Sequence, residues 1–592
     1  MAKKQGGSKA EQRHTIKRLL AYLKPYQQTL WLTIAMTVLV TLISIASPIV
    51  MGEVLSYLQR VLTQGEAIDF RHILNLALIL AGMYLLSSGA EIVSERSLVQ
   101  LSQSLIRDMR EDVSQKIRRI PLSYFDQHQT GDVLSRMTND IDTVGRNIQL
   151  SVSQIFSSLL LVLGIILMML WLSPVLSAVF FLTIPLNFFA TRFITHRSRR
   201  YFRAKSKGLG QMVGFVEENF TGTDLIKAYG HEEQSAKDFQ AINDALYEVS
   251  YKASFMGGIL LPIMTFIGNL AYVFIAIVGG FLVIQQRILI GDVLAFIQYS
   301  QTIRRPLDII ADMANTLQET LASAYRVFAL LDAPEEAERQ EARLDGAIQS
   351  IEFNHVSFAY EADQPVIQDF NLKVEQGETI AIVGHTGAGK TTLVNLLLRF
   401  YDVSRGSITI NGVDIRDVSR DTLRQCFGMV LQETWLIQGS IADNIRYGKE
   451  DATDEEVVLA AKAAHAHRFI QTLPDGYATI LNEDATNISQ GQRQLLTIAR
   501  AFVSDPDILV LDEATSSVDT RTEQLIQEGM NNLMQGRTNF VIAHRLSTIV
   551  GADTILVMEA GNVVEQGSHE ELMDRKGHYY DLYQSQFMGE AI

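Results

Sequence analysis

The run Gly384-His385-Thr386-Gly387-Ala388-Gly389-Lys390-Thr391 fits the pattern G-x-x-x-x-G-K-[ST] and decides how the second half of the chain is read. In such a loop, glycines let backbone N–H groups approach a phosphate chain. The lysine ammonium reaches the outer phosphates, and the hydroxyl that follows can ligate Mg²⁺. One match of this kind arises by chance in roughly a few per cent of chains this long. Two further motifs follow in order, Asn487-Ile488-Ser489-Gln490-Gly491-Gln492 and Ile508-Leu509-Val510-Leu511-Asp512-Glu513, and together they make coincidence negligible. The all-apolar Ile508–Leu511 has the composition of a buried parallel strand. Asp512 then falls at the carboxyl end of that strand, where α/β sheets place ligand-binding groups.

Around this loop the sequence alternates strand, turn and helix. Ser350–Phe353 and Val356–Tyr360 are β-rich, Thr379–Val383 is a strand, and the loop opens a helix at Thr391-Thr392. The expected fold from residue 351 to 592 is therefore an α/β phosphate-loop nucleotide-binding domain.

The first half is of another kind. The chain has 592 residues, 47% of them hydrophobic, and a mean hydropathy of +0.11, too apolar for an ordinary soluble enzyme. Its length suits three to four ordinary domains or two large ones. Residues 1–332 carry 31 Lys and Arg against 26 Asp and Glu, and the remainder 20 against 40. A mildly basic apolar half joined to an acidic one reads as a membrane domain with a cytosolic domain. The acidic half also argues against a nucleic-acid partner, which needs a basic footprint. Cys426 is the only cysteine, which rules out an intrachain disulfide and reads as a small core residue.

Five stretches are long and apolar enough for a bilayer core of about 30 Å. They run at 30–50, 73–92, 155–172, 175–194 and 256–284; a sixth at 288–310 is weakened by Gln298, Ser300, Gln301 and Thr302. That mixture suits a span facing a wet cavity, or else an interfacial helix. Basic residues gather before the first span, after the second (Arg107, Arg110, Lys116, Arg118, Arg119) and after the fourth (Arg197 to Lys207), while the other connections hold few. This bias places both termini in the cytoplasm with six spans. Residues 1–28 are basic and polar, and no cleavable leader is expected among them. His14–Leu23 has helical amphipathic spacing, either for the membrane surface or for a solvated helix. No Asp, Glu, Lys or Arg stands in the middle of the five clear spans, which disfavours an ion relay. The expected organisation is a cytoplasmic segment 1–28, a membrane domain 29–332 with long helical cytosolic extensions, a linker 333–350 and the nucleotide-binding domain 351–592.

On these motifs the chain resembles the ATP-binding cassette exporters of the multidrug and lipid-flippase type, over nearly its whole length. The resemblance implies a helical subdomain in the nucleotide-binding domain, and ATP and Mg²⁺ as its ligands. It also implies a role for each matching residue. Gly384, Thr386, Gly387, Ala388, Gly389, Lys390, Thr391 and Thr392 would hold the phosphates, and Tyr360 would stack on adenine. Thr391, Gln432 and Asp512 would hold Mg²⁺, with Gln432 also sensing the γ-phosphate. Glu513 would polarise the attacking water, and His544 would contact the γ-phosphate. Asp519, in Ser516-Ser517-Val518-Asp519, would reach the partner cassette. Glu217–Gly222 with Leu225–Tyr229, and Tyr124–Asp126 with Thr130–Arg136, resemble the two loops that couple the halves. Glu483 matches an acidic residue that touches those loops. Such chains are half-transporters acting on amphipathic drugs or lipids, and here Asn187, Asn269, Gln298 and Gln301 offer uncharged polar groups in the spans.

One motif departs from the family. Its usual signature is Leu-Ser-Gly-Gly-Gln, and here Gln490 stands for the first glycine, between Ser489 and Gly491-Gln492. In these proteins the signature of one cassette closes over the ATP of the other, and glycine permits close backbone approach. The expectation is a heterodimer in a bacterial cell membrane with one impaired ATP site. The alternatives are a homodimeric flippase or peptide exporter, and an ATP-gated channel or regulatory membrane subunit.

Overall fold

The computed structural model describes residues 9–64, 68–336, 342, 344, 346–361, 364–385, 387–431, 434–512, 519–542 and 546–587. They form two compact units. The first comprises 1–117 with 131–333 and the second 118–130 with 334–592.

The first unit is entirely helical. Its chain begins with α1 (Lys9–Leu23), α2 (Gln27–Gln64) and α3 (Phe70–Ile117). The short α4 (Leu122–Gln127) belongs to the second unit, and α5 (Thr130–Ser135) opens the return. Then come α6 (Ile141–Leu172), α7 (Pro174–Thr221), α8 (Thr223–Tyr229), α9 (Glu232–Gly258), α10 (Leu260–Ile284), α11 (Ile290–Thr302) and α12 (Arg304–Leu331). At 1.5 Å per residue the 48-residue α3 and α7 are each about 70 Å long, more than twice a bilayer core. Among the described residues five helical stretches are long and apolar enough to cross a membrane: 10–64, 70–117, 130–172, 174–221 and 232–284.

Two stretches that read as single spans are each broken once. Pro262 and Pro306 stand four residues after Gly258 and Thr302, where α9 and α11 end. Proline has no N–H for the carbonyl four residues back, so the ladder lapses there and restarts one residue later. The sixth stretch is thus two helices, and α11 sits inside the bundle, with Phe296 and Tyr299 fully buried. It meets α2 backbone to backbone. A Cβ on Gly291 would lie 1.9 Å from the Gly52 carbonyl oxygen, so only glycine permits the crossing. On the amphipathic α1 the buried Thr15 and Leu19 mark the side packed on α12, where Arg18 pairs with Asp332 at 2.6 Å and lies over the Phe328 ring.

The second unit holds β1 (Ser350–Glu361), β2 (Gln364–Glu375), β3 (Thr379–Gly384), β4 (Arg405–Ile410), β5 (Val413–Asp414) and β6 (Phe427–Val430). After β7 (Gly439–Ser440) and β8 (Ile480–Leu481) come β9 (Ile508–Asp512), β10 (Thr538–Ile542), β11 (Thr554–Glu559) and β12 (Asn562–Gly567). Its main helices are α13 (Lys390–Leu397), α14 (Arg420–Gln425), α15 (Ile441–Arg446), α16 (Asp454–Ala463), α17 (His467–Thr472), α18 (Gln490–Ser504) and α19 (Thr520–Met534). Six strands form one sheet in the order β12-β11-β3-β10-β9-β6, parallel except for β12. A second, antiparallel sheet runs β2-β1-β4-β5. The two segments read as separate strands before Tyr360 are the single β1. A bulge at His355, whose φ is +48°, interrupts the alternation, and its N–H turns to Asn371 Oδ1 at 2.8 Å.

One apolar core lies between the two sheets, where Phe353 and Phe540 meet with ring centroids 6.4 Å apart. A second joins the parallel sheet to α15–α19 through Leu509, Leu511, Leu496 and Ile526. Residues Ile508–Leu511 are buried on both faces of the sheet, which explains their unbroken apolar run.

Candidate nucleotide site

The parallel register aligns the site. Ile542 of β10 is level with Ile382 of β3 on one side and with Asp512 of β9 on the other. Asp512 therefore stands at the same sheet edge as the loop that leaves β3 at Gly384. Gly384, Gly387 and Gly389 have φ of +151°, +85° and +100°. At Gly384 a Cβ would lie 2.3 Å from the Met558 carbonyl oxygen, so β11 packs against bare backbone there. Ala388 is buried and its carbonyl accepts from the Gly561 N–H at 3.1 Å, pinning the loop to the β11–β12 turn.

Lys390 begins α13 and its side chain turns back into the loop. Nζ donates to Gly384 O at 2.7 Å and to His385 O at 3.2 Å. Burial pushes this ammonium below its ordinary pKa, and the charge of Asp512 pulls it back up. The two groups thus sense each other across the site. Thr391 follows on α13. A hydroxyl and a carboxylate are the hard oxygen donors Mg²⁺ takes. Among the described residues no group of three or more His, Cys, Asp or Glu could enclose a metal.

Thr392 is buried, and its hydroxyl lies 3.2 Å from that of Tyr360. The Tyr360 ring is half exposed beside α13. It meets the Tyr401 ring at 5.0 Å and 90°. The Tyr401 hydroxyl in turn donates to Asp126 of α4. Residues 118–130 are held further by the Glu336 N–H donating to Arg119 O at 2.8 Å. One chain of contacts therefore runs from a loop between two long helices to the aromatic beside the phosphate loop. Tyr401 stands in no motif that marks it in the sequence.

Ser489 caps α18. Its Oγ accepts from the Gln492 N–H at 3.3 Å, while Gln492 Oε1 accepts from the Ser489 N–H at 2.9 Å. This reciprocal cap fixes Gln490 at the first helical position with its side chain exposed, and Gly491 is buried behind it. Asp519 caps α19, accepting from the Arg521 and Thr522 N–H groups, and these bonds hold its carboxyl below the usual range. Glu483 is exposed on the loop before α18. Phe220, Leu225 and Tyr229, around the tip made by α8, are strongly exposed. Thr386, Gln432, Glu513 and His544 lie outside the described residues.

A glycine loop on a parallel sheet, with an acidic strand end beside its lysine, defines a phosphate-loop ATPase, here in one chain with a unit of long apolar helices. Residues 30–307 match the ABC transporter transmembrane region and residues 367–516 match the ABC transporter family. A fatty acid ABC transporter ATP-binding/permease protein of Mycobacterium tuberculosis is 46% identical over 523 residues, spanning 88% of this chain and 82% of its own length. An ATP-dependent lipid A-core flippase of Syntrophus aciditrophicus is 36% identical over 519 residues, with 87% and 86% covered. A solved bacterial Atm1-family ABC exporter with ATP bound matches at a TM-score of 0.72 and 28% identity, over 94% of this chain and 98% of its own. The chain belongs to the ABC transporter family. It is an integral membrane protein that binds ATP and has the exporter architecture, a transporter ATPase rather than a soluble cassette protein.

Proposed function

We propose that this chain is one half of a dimeric exporter that moves amphipathic small molecules or lipids, driven by ATP held between its phosphate loop and the signature helix of a second chain. The names of the fatty acid and lipid A-core relatives support an amphipathic cargo. Lys390 neutralises phosphate charge, Tyr360 carries the base, Glu513 orients and polarises the attacking water, and His544 with Gln432 contacts the γ-phosphate side. Thr391, Asp512 and Gln432 would hold Mg²⁺, which supplies charge neutralisation on the phosphates. Asp519 belongs to the segment that reaches the partner cassette. Both termini face the cytoplasm of a bacterial cell, as the basic loops require.

The observation that carries the pairing is Gln490. A helix N-terminus is an anion site because its N–H groups are open. The first position of α18 carries an exposed side chain where the family's glycine would leave backbone bare. The signature acts on the other chain's ATP, so the defect falls on the partner's loop and this chain's own loop stays competent. The pair is accordingly a heterodimer with two unlike sites. Purified alone, the chain should hydrolyse ATP slowly, and a distinct half-transporter should raise the rate sharply. Gln490→Gly should then change nucleotide trapping at the partner's loop far more than at this one. Vigorous hydrolysis by the chain alone, indifferent to Gln490→Gly, would leave a symmetric homodimer instead.

A further inference from the structure

A cavity of about 500 Å³ opens among α2, α3, α6 and the α11–α12 junction, with Glu91, Glu95, Ser158 and Arg305 on its wall. A second, of about 210 Å³, shares Arg305 with it and adds Asp308 and Asp312. Four carboxylates and one guanidinium thus line the two cavities. Among the described residues none of these five groups has an ion pair or a side-chain hydrogen bond within the protein. Charges beside apolar spans are costly unless a partner meets them.

Three hydroxyls of the larger cavity's uncharged wall have the same bias. Thr41, Ser44 and Thr302 donate to carbonyls one turn back on their own helices, at 2.7, 2.9 and 2.9 Å. Their oxygens therefore present lone pairs to the cavity. Ser158 is 2% exposed, and its hydroxyl has no partner among the described residues. Asn187, Asn269, Gln298 and Gln301, the uncharged polar residues that stood out in the spans, do not line either cavity. Val40, Leu161 and Ile309 give the larger one apolar sides. Glu91 and Glu95 close the apolar stretch of α3, so charge and apolar wall adjoin.

We propose that these two cavities, which share Gln154, Arg305 and Ile309, together form a binding site for a lipophilic cation, whose charge is met by Glu91, Glu95, Asp308 and Asp312 and whose apolar body lies along the spans. The proposal rests on the exporter reading and specifies its cargo: an anionic amphiphile, including a fatty acid carboxylate, would find only Arg305 in its favour.

The test uses tetraphenylphosphonium and tetraphenylborate, ions of nearly equal size and shape and opposite charge. Each is titrated against the full-length assembly purified from native membrane and held in nanodiscs of uncharged lipid. The phosphonium should bind saturably and the borate much more weakly. The double variant Glu91→Gln/Glu95→Gln should weaken phosphonium binding about tenfold or more, since two charge contacts are lost. Arg305→Gln should leave that binding equal or tighter, and basal ATPase should stay within about twofold throughout. Asp308→Asn/Asp312→Asn is the second variant, and it should weaken phosphonium binding in the same direction even where the first fails to fold. Borate binding as tight as phosphonium binding, or phosphonium binding unchanged in a folded carboxamide variant, overturns the proposal. ATPase stimulation by the borate alone would sink the charge assignment and keep the exporter reading. An ATPase indifferent to both ions and to neutral amphiphiles would sink the exporter reading itself.

Discussion

Replacing Lys390 by methionine keeps the aliphatic stem and deletes only the ammonium. In the free protein that ammonium bonds two loop carbonyls, at 2.7 and 3.2 Å, and nucleotide must take it from them. Opposite unit charges about 4 Å apart attract by about 4 kcal/mol at the effective dielectric near a protein surface. Giving up the carbonyl bonds costs about 0.5–1.5 kcal/mol each. The difference, about 1–3 kcal/mol, predicts that Lys390→Met raises the ATP dissociation constant about 5–150-fold. Equilibrium titration of purified protein with ATP measures it directly. The pH profile gives a second check with a definite sign. Burial lowers the Lys390 pKa, so the charged form is lost at a lower pH than for an exposed lysine. Wild-type affinity should therefore fall with rising pH before that ordinary value is reached, while Lys390→Met shows no such limb. An ATP affinity within threefold of wild type, with the alkaline limb retained, would refute the assignment.

At the α2–α11 crossing, Gly291→Ala places a methyl 1.9 Å from the Gly52 carbonyl oxygen, and overpacking of this kind costs about 1–3 kcal/mol. The apparent melting temperature should drop by several degrees, while Gly280→Ala, with nothing within 4 Å, should leave it unchanged. Equal melting curves for the two variants would contradict the close crossing. Asp126→Ala removes the carboxylate that receives the Tyr401 hydroxyl. Basal ATPase should stay within about twofold while stimulation by transported amphiphile falls, because the loss lies in the link and not in the site. Unchanged stimulation in both Asp126→Ala and Tyr401→Phe would show that this contact carries no coupling.

The phosphate loop, the signature cap and the buried strand before Asp512 were legible because their chemistry fixes residue type and spacing together. Bare backbone is needed at Gly384, a charge at Lys390 and an unbroken apolar run at Ile508–Leu511. Long apolar helices were equally plain, since the bilayer sets their length. Features made by distant pairings escaped. Asp126 and Tyr401 are 275 residues apart, and neither sits in a pattern that announces the other. The breaks at Ile259 and Ile303 were readable in principle from Pro262 and Pro306. Yet Pro48 and Pro185 lie inside unbroken helices, so proline alone does not decide. Asp519 matches a partner-reaching loop by sequence, and the cap that its carboxylate makes on α19 is a local contact that the match did not give. The charged cavity was hidden because Glu91, Glu95 and Arg305 stand at the ends of their spans, where a sequence reading expects charge.

The most direct test of an ATP-driven exporter is uphill transport in inverted membrane vesicles containing this chain and the half-transporter that co-purifies with it. Accumulation of a fluorescent amphiphile against its gradient should require ATP. It should fall with Glu513→Gln, which keeps ATP binding and loses about 10²–10⁴-fold of hydrolysis with the base. Accumulation that proceeds equally without ATP or in the Glu513→Gln vesicles, or ATP hydrolysis that never raises the internal concentration above the external one, would contradict the account.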